Sequence, residues 1–251
     1  MRGTNRSRLF VWGAFLACAV ILIGYGLTRS SKASRPATTT HNSTPSASTS
    51  TSASVGTSTA HTTTARTTTR PAVDPGRLPQ TRTEPARGAA LDARMQTLWS
   101  AIQTDNTTLA RTVFFPESAY LTMKTGVLGD PAGDYTNRLI AFYDLDLAAY
   151  HTHLGASPAS ATLSAVNADP SLASWIPAGA CENTVGYWHL PGTRLVYTQH
   201  GRVYSVRVAS LISWRGQWYV VHLGPNPRPS NVGTVDDPLV GPGTPGPGGG
   251  C

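Results

Sequence analysis

Between Ser30 and Arg70, 24 of 41 residues are Ser or Thr, and aliphatic side chains are almost absent. A segment with so little apolar surface cannot offset its chain entropy, so any folded core must lie beyond it. Just before it, Leu9 to Leu27 is an unbroken apolar run, bounded by Arg2, Arg6 and Arg8 on one side and by Arg29, Lys32 and Arg35 on the other. A run of that length can cross a bilayer. The two features predict a cytoplasmic n-region and transmembrane anchor at 1–28, a disordered Ser/Thr/Pro-rich stalk at 29–87, one carried domain at 88–228, and a disordered Gly/Pro-rich tail at 229–251.

A cleaved signal peptide fits the run less well than an anchor. Secretory h-regions are shorter and end at a small-residue site, whereas here apolar residues continue through Ala19, Val20, Ile21, Leu22 and Ile23. Cys18 after Phe15, Leu16 and Ala17 loosely resembles a lipoprotein signal, but the run again continues past it. The flanking positive charges are balanced and do not orient the helix. The Ser/Thr tract with scattered proline suits an extended, O-glycosylated stalk outside the cytoplasm, spanning roughly 40 to 45 Å as a flexible coil. The expected location is therefore the cell membrane, single-pass, with the C-terminal domain extracytoplasmic.

The formal net charge of +7 invites a nucleic-acid partner, but partitioning removes it. Residues 1–87 hold 11 Lys/Arg against 2 Asp/Glu, residues 88–228 hold 9 of each, and residues 229–251 hold only Asp236 and Asp237. A nucleic-acid binder carries its basic patch on the folded domain, and this domain is neutral. The basic excess of anchor and stalk suits anionic lipid or acidic wall polymer. The expected partners are the lipid bilayer through residues 9–27, other envelope proteins or anionic wall polymer, and no nucleic acid.

Within 88–228 the periodicity is helical first. Leu91, Met95, Leu98, Trp99 and Ile102 fall on one helical face. Asn106 is placed to cap a short second helix that Pro116 stops. A longer helix is expected from Asp134 to Gly155, with Leu139, Tyr143, Leu147, Tyr150 and Leu154 along its stripe. Past Ala159 the period becomes two. Strands are expected at 161–166, 184–190, 194–199, 203–214 and 217–223, with an irregular connection at 170–181 and turns at Pro191–Gly192, His200–Gly201 and Arg215–Gly216. Alternation in 203–214 predicts one face toward the helices and one toward solvent or a partner, and the register predicts Trp214 and Trp218 near each other across the last hairpin. Helices followed by an antiparallel meander read as α+β.

The stretch MQTLWSAIQTDNTTLARTVFFPESAYL, a helix, a polar break and a short helix ending in an aromatic pair before proline, resembles the opening of nuclear transport factor 2-like domains. YSVRVASLISWRGQWYVVHLG is similar to the last long hairpin of that superfamily. The whole chain also resembles uncharacterised actinobacterial envelope proteins and, more loosely, the mammalian-cell-entry-associated and type IV secretion membrane proteins. The resemblance implies a curved sheet and helices enclosing a cone, which in some members holds a ligand or a catalytic pocket.

No catalytic residue transfers by motif. His189 and His222 fall on strands, and either could serve as acid or base if Asp144 or Asp146 approached it. Trp188 and Trp214 are the aromatic candidates for a cavity or contact surface. His151 and His153, two apart on a helix, point away from each other and cannot chelate one ion. Lys124, Thr125 and Gly126 spell a triad of penicillin-recognising enzymes, with Thr104, Asp105 and Asn106 mimicking its companion, but no Ser-x-x-Lys nucleophile segment is present. No cofactor fingerprint occurs either. Cys181 and Cys251 could pair in an oxidising envelope, remain free thiols, or bridge two molecules through Cys251. The favoured role is an extracytoplasmic binding or assembly domain without catalysis; the alternative is a small apolar-ligand carrier or an enzyme using the cone.

Overall fold

The computed structural model of the chain describes residues 73–247. The apolar run, most of the expected stalk, Cys18 and Cys251 lie outside those residues. Among the described residues no helix is long and apolar enough to cross a membrane.

Helix α1 (Ala89–Thr104) buries Leu91, Met95, Leu98, Trp99 and Ile102, positions three and four apart that share a face. Asn106 caps α2 (Thr107–Arg111) by accepting from the Leu109 N–H at 2.9 Å. Pro116 does not stop α2, which ends at Arg111, but is the N-cap of α3 (Glu117–Lys124), a helix that the sequence pattern does not announce. The long helix begins earlier than expected. Asp130, not Asp134, caps α4 (Pro131–Asp134), accepting from the Gly133 N–H; proline at its first position has no N–H to leave unpaired. A π-helical segment, Tyr135–Ile140, leads into α5 (Ala141–His153), which stops before Gly155. The stripe from Leu139 to Leu154 is buried as its spacing requires.

The sheet has six strands, all paired antiparallel: β1 (Thr162–Asn167), β2 (Ser174–Ile176), β3 (Tyr187–Gln199), β4 (Arg202–Trp214), β5 (Gln217–His222) and β6 (Asp236–Val240). With the helices this makes an α+β architecture. β3 and β4 form a spine of 13 residues each, paired from His189↔Ile212 to Gln199↔Arg202. β2 and β1 lie along the outer edge of β3, and β5 and β6 along that of β4. β2 occupies what reads in the sequence as an irregular connection.

Three expectations about the sheet fail for physical reasons. The turn expected at Pro191–Gly192 is absent, because β3 runs straight through it with register kept from Pro191↔Ser210 to Thr193↔Val208. Gly192 takes φ 64°, and a Cβ there would lie 1.7 Å from the Gly246 carbonyl oxygen, so glycine serves a close approach of chain rather than a reversal. The hairpin turns are at His200–Gly201 and Arg215–Gly216, where all four residues have positive φ, the type I′ geometry. Trp214 pairs with Gln217 and Trp218 with Ser213, so the two tryptophans face opposite sides and are not cross-strand neighbours. Finally, β4 has no solvent face beyond its first three residues: from Ser205 to Trp214 every residue but the half-buried Arg207 is buried.

Both ends of the domain extend past the expected boundaries of 88 and 228. Residues 73–87 form an arm. It carries a 3₁₀ turn at Pro75–Arg77, and its Pro75 and Arg82 carbonyls accept from the indole N–H groups of Trp214 and Trp188, each at 2.9 Å. Gln80 donates to the Ser213 carbonyl and accepts from the Arg215 N–H. The tail supplies β6, which joins the β4 edge. Such segments cannot build a core alone, yet their backbone groups can complete the edge of one that exists.

Candidate functional site

A cavity of about 370 Å³ opens between α3, the π-helical segment and the end of the sheet where β2, β3, β4 and β5 meet. That is within the range of small-molecule sites, roughly 300 to 1,000 Å³. Met123, Leu139, Ile176, Ile212, Val221 and Pro227 give it apolar walls. Tyr120, Lys124, Arg138, Asn183, Tyr187, His189, Ser210 and His222 bring polar groups to it.

Local structure explains the convergence. Tyr120 and Lys124 are one turn apart on α3. Asp134 and Arg138 are likewise four apart, at the passage from α4 into the π-helical segment. On β5 a register shift makes His222 pair with Ser210 while Val220 pairs with Leu211, leaving Val221 as the extra residue. Successive strand residues normally point to opposite faces. The bulge re-aims the chain, so that Val221 and His222 both line the cavity.

Arg138 holds Asp134 with Nε and Nη2, both at 2.6 Å, and Nη2 also donates to the Tyr120 hydroxyl at 3.2 Å. The Tyr120 hydroxyl donates to Asp134. Arg138 draws the Asp134 carboxyl below its usual range, while burial and then the bond to Asp134 push the Tyr120 phenol up. Lys124 Nζ donates to the Cys181 and Glu182 carbonyls at 3.1 Å each, and burial lowers its ammonium. His189 Nε2 lies 3.0 Å from Ser210 Oγ and is lowered by burial. Burial, then Arg138, His189 and Arg228, lower His222 to about 4. Both imidazoles are therefore neutral at neutral pH. Among the described residues the cationic side chains of the lining are Lys124 and Arg138, and no Asp or Glu lines the cavity.

Of the residues singled out from sequence, His189 and His222 come together here. Trp188 and Trp214 do not: both bond to the arm, and Trp188 also meets Trp175 edge to face at 5.9 Å. The carboxylates suggested as histidine partners are engaged elsewhere. Asp144 pairs with Arg111, and Asp146 accepts from Gly224 N–H, Arg228 Nη1 and Thr234 N–H. His151 Nδ1 is 2.9 Å from the Ile102 carbonyl oxygen, and among the described residues no three His, Cys, Asp or Glu gather as a metal set. Lys124 of the Lys-Thr-Gly triad is in the cavity wall. Cys181 also lines the cavity and is disulfide-bonded; the chain's other cysteines, Cys18 and Cys251, lie outside the described residues.

Sequence reasoning missed Tyr120, Arg138, Asn183 and Tyr187, and named Lys124 only within the rejected triad. A signal existed in the two spacings of four, Tyr120 with Lys124 and Asp134 with Arg138, each placing polar side chains on one helical face. The fold and cavity define a class, an α+β domain with a half-polar pocket between helices and sheet. No family model, curated protein or solved structure matches the chain.

Proposed function

We propose that the chain is a membrane-anchored ligand-binding protein, in which the apolar run and Ser/Thr stalk hold the α+β domain outside the cytoplasm and the cavity takes a small molecule. The observation that carries this reading is the cavity, with apolar walls and several convergent polar groups. A filled interior would have favoured the assembly role instead. The arrangement of helices before an antiparallel sheet, with a pocket between them, agrees with the resemblance to nuclear transport factor 2-like domains, whose cone it would represent. Catalysis is not part of the proposal, because neither histidine has a carboxylate to orient it.

The test is to purify the full-length chain in native-lipid discs and identify co-purified small molecules by mass spectrometry, beside a Val221→Trp variant that fills the cavity. A compound present with the parent and lost with the variant supports the reading. Equal recovery from both would remove it. Reporter fusions before Leu9 and after Arg87 test the topology: activity of the second outside the cytoplasm and of the first inside is expected.

One feature favours a second, assembly role. Val203 and Leu239 are 42% and 41% exposed and fall on one face where β6 meets β4, since Leu239 pairs with Ser205. Capture of a specific envelope partner that Leu239→Asp abolishes would support that role.

A further inference from the structure

The chemistry of the ligand can be taken further, on the premise that the cavity is a ligand site. Its lining holds two cations and no carboxylate. Asp134 neutralises much of Arg138, but the guanidinium has donors to spare. Nε and Nη2 are used on Asp134 and Tyr120, and no described residue accepts from Nη1. Lys124 has three N–H groups and places two of them on the Cys181 and Glu182 carbonyls. Arg138 acts electrostatically on both Lys124 and His222; at Lys124 the Glu182 and Asp134 carboxylates oppose it, whereas at His222 no acid does.

Of these three groups His222 has the least support. It faces Arg138 from the π-helical segment, His189 from β3 and Arg228 from the chain after β5. No acid acts on it, and no described residue hydrogen-bonds its ring. Arg228 is itself held by Asp146, at 2.7 Å. Cationic neighbours and desolvation both oppose charge on the imidazole. An anion in the cavity would offset the cationic part of that balance. It would meet the free donors of Lys124 and Arg138 and give His222 the counter-charge that the protein withholds. A cation would add to the existing repulsion, and a neutral apolar molecule would leave the donors unused.

We propose that the cavity binds a small organic anion with an apolar body, its charged end between Lys124 and Arg138, and that His222 takes up one solvent proton as the anion enters. The body lies against Met123, Leu139, Ile176 and Ile212. The ligand is not transformed. The one covalent change is the new N–H bond of the imidazolium.

Naphthalenesulfonate and its neutral counterpart naphthalenemethanol are suitable probes, since the sulfonate stays ionised throughout the working pH range and any slope belongs to the protein. Both are titrated by calorimetry against the full-length chain in zwitterionic lipid discs, with empty discs subtracted. The sulfonate is expected to bind at least about tenfold more tightly than the alcohol. Its affinity should rise as pH falls from 6.5 toward 4, by no more than about tenfold per pH unit, and level off below 4, with proton uptake seen by repeating the titration in buffers of different ionisation enthalpy. Lys124→Met should weaken the sulfonate about tenfold and leave the alcohol unchanged, and Lys124→Arg should restore it. His222→Gln should bind without the pH slope. Alcohol binding as tight as sulfonate binding, or no effect of Lys124→Met, overturns the anion inference while leaving the cavity a ligand site. A parent protein that binds the sulfonate without proton uptake overturns the part assigned to His222. If neither probe binds, the inference and the ligand reading fall together.

Discussion

The two ends of the β3–β4 spine handle buried charge in opposite ways. At the end bordered by β1 and β6, Arg194 and Arg207 are direct cross-strand partners, a like-charge pairing that is unfavourable alone. The tail corrects it: Asp236 forms a two-point bond to Arg207 at 2.7 and 3.0 Å, and Asp237 pairs with Arg194. Arg194 also donates to the Asp237 and Thr244 carbonyls, so this almost wholly buried guanidinium is well satisfied. At the end bordered by β2 and β5, Lys124 and Arg138 keep unused donors and His222 has no acid beside it. Charge matched within the chain serves stability; charge left partly unmatched around a cavity is available to a ligand.

The largest effect should come from unmatching the first end. Asp236→Asn combined with Asp237→Asn leaves two arginines opposed with no counter-charge, and should cost about 3 to 5 kcal/mol in a denaturant melt. A loss under about 1 kcal/mol would mean that the tail is an ornament on the sheet and the contrast is false. Next comes the arm, which completes hydrogen bonds at the cavity end rather than balancing charge. A chain starting at residue 88 loses two indole hydrogen bonds worth roughly 1 kcal/mol each, together with buried surface, so a deficit of about 2 to 4 kcal/mol against one starting at residue 73 is expected. Equal melts would return the domain boundary to residue 88.

A smaller effect separates the ends by pH. His222 is lowered from 6.5 in the unfolded chain to about 4 in the fold, so between those values the unfolded state binds more protons. Stability from this group is complete above pH 6.5 and is lost as pH falls toward 4. The loss should be on the order of 2 to 3 kcal/mol. His222→Gln should flatten that part of the stability curve measured by melts across the range; an unchanged curve would show that the acid sensitivity lies elsewhere. The smallest effect is expected at Lys124. Its ammonium is already penalised by burial, so Lys124→Met should shift stability by less than about 1 kcal/mol in either direction. A large loss would make Lys124 part of the scaffold and weaken its assignment to a ligand.

Much of the fold is legible without coordinates. The stripes of α1 and α5, the Asn106 cap, the β3–β4 and β4–β5 hairpins and the α+β class all follow from local periodicity and turn chemistry. They are legible because each depends on residues within a turn or two of one another. The site is legible only in part. His189 and His222 could be named as polar residues on strands, but a bulge at Val221 decides that His222 lines the cavity. Trp188 and Trp214 misled because a large aromatic side chain shows what it can bury, not what will cover it. Here the cover is the arm.

The sequence by itself determined where a core could form, which helical faces would be buried, and that the basic excess lies ahead of the domain rather than on it. Those properties follow from composition and short-range spacing. Tertiary structure alone decided that Gly192 lets a strand pass close to the tail instead of turning, that residues 73–87 and 236–240 belong to the domain, and that Arg194 faces Arg207. It also decided that Lys124, Arg138, His189 and His222 share one cavity. Each of these is a meeting of segments distant along the chain, and a segment carries no local mark of the partner that will complete its hydrogen bonds or balance its charge.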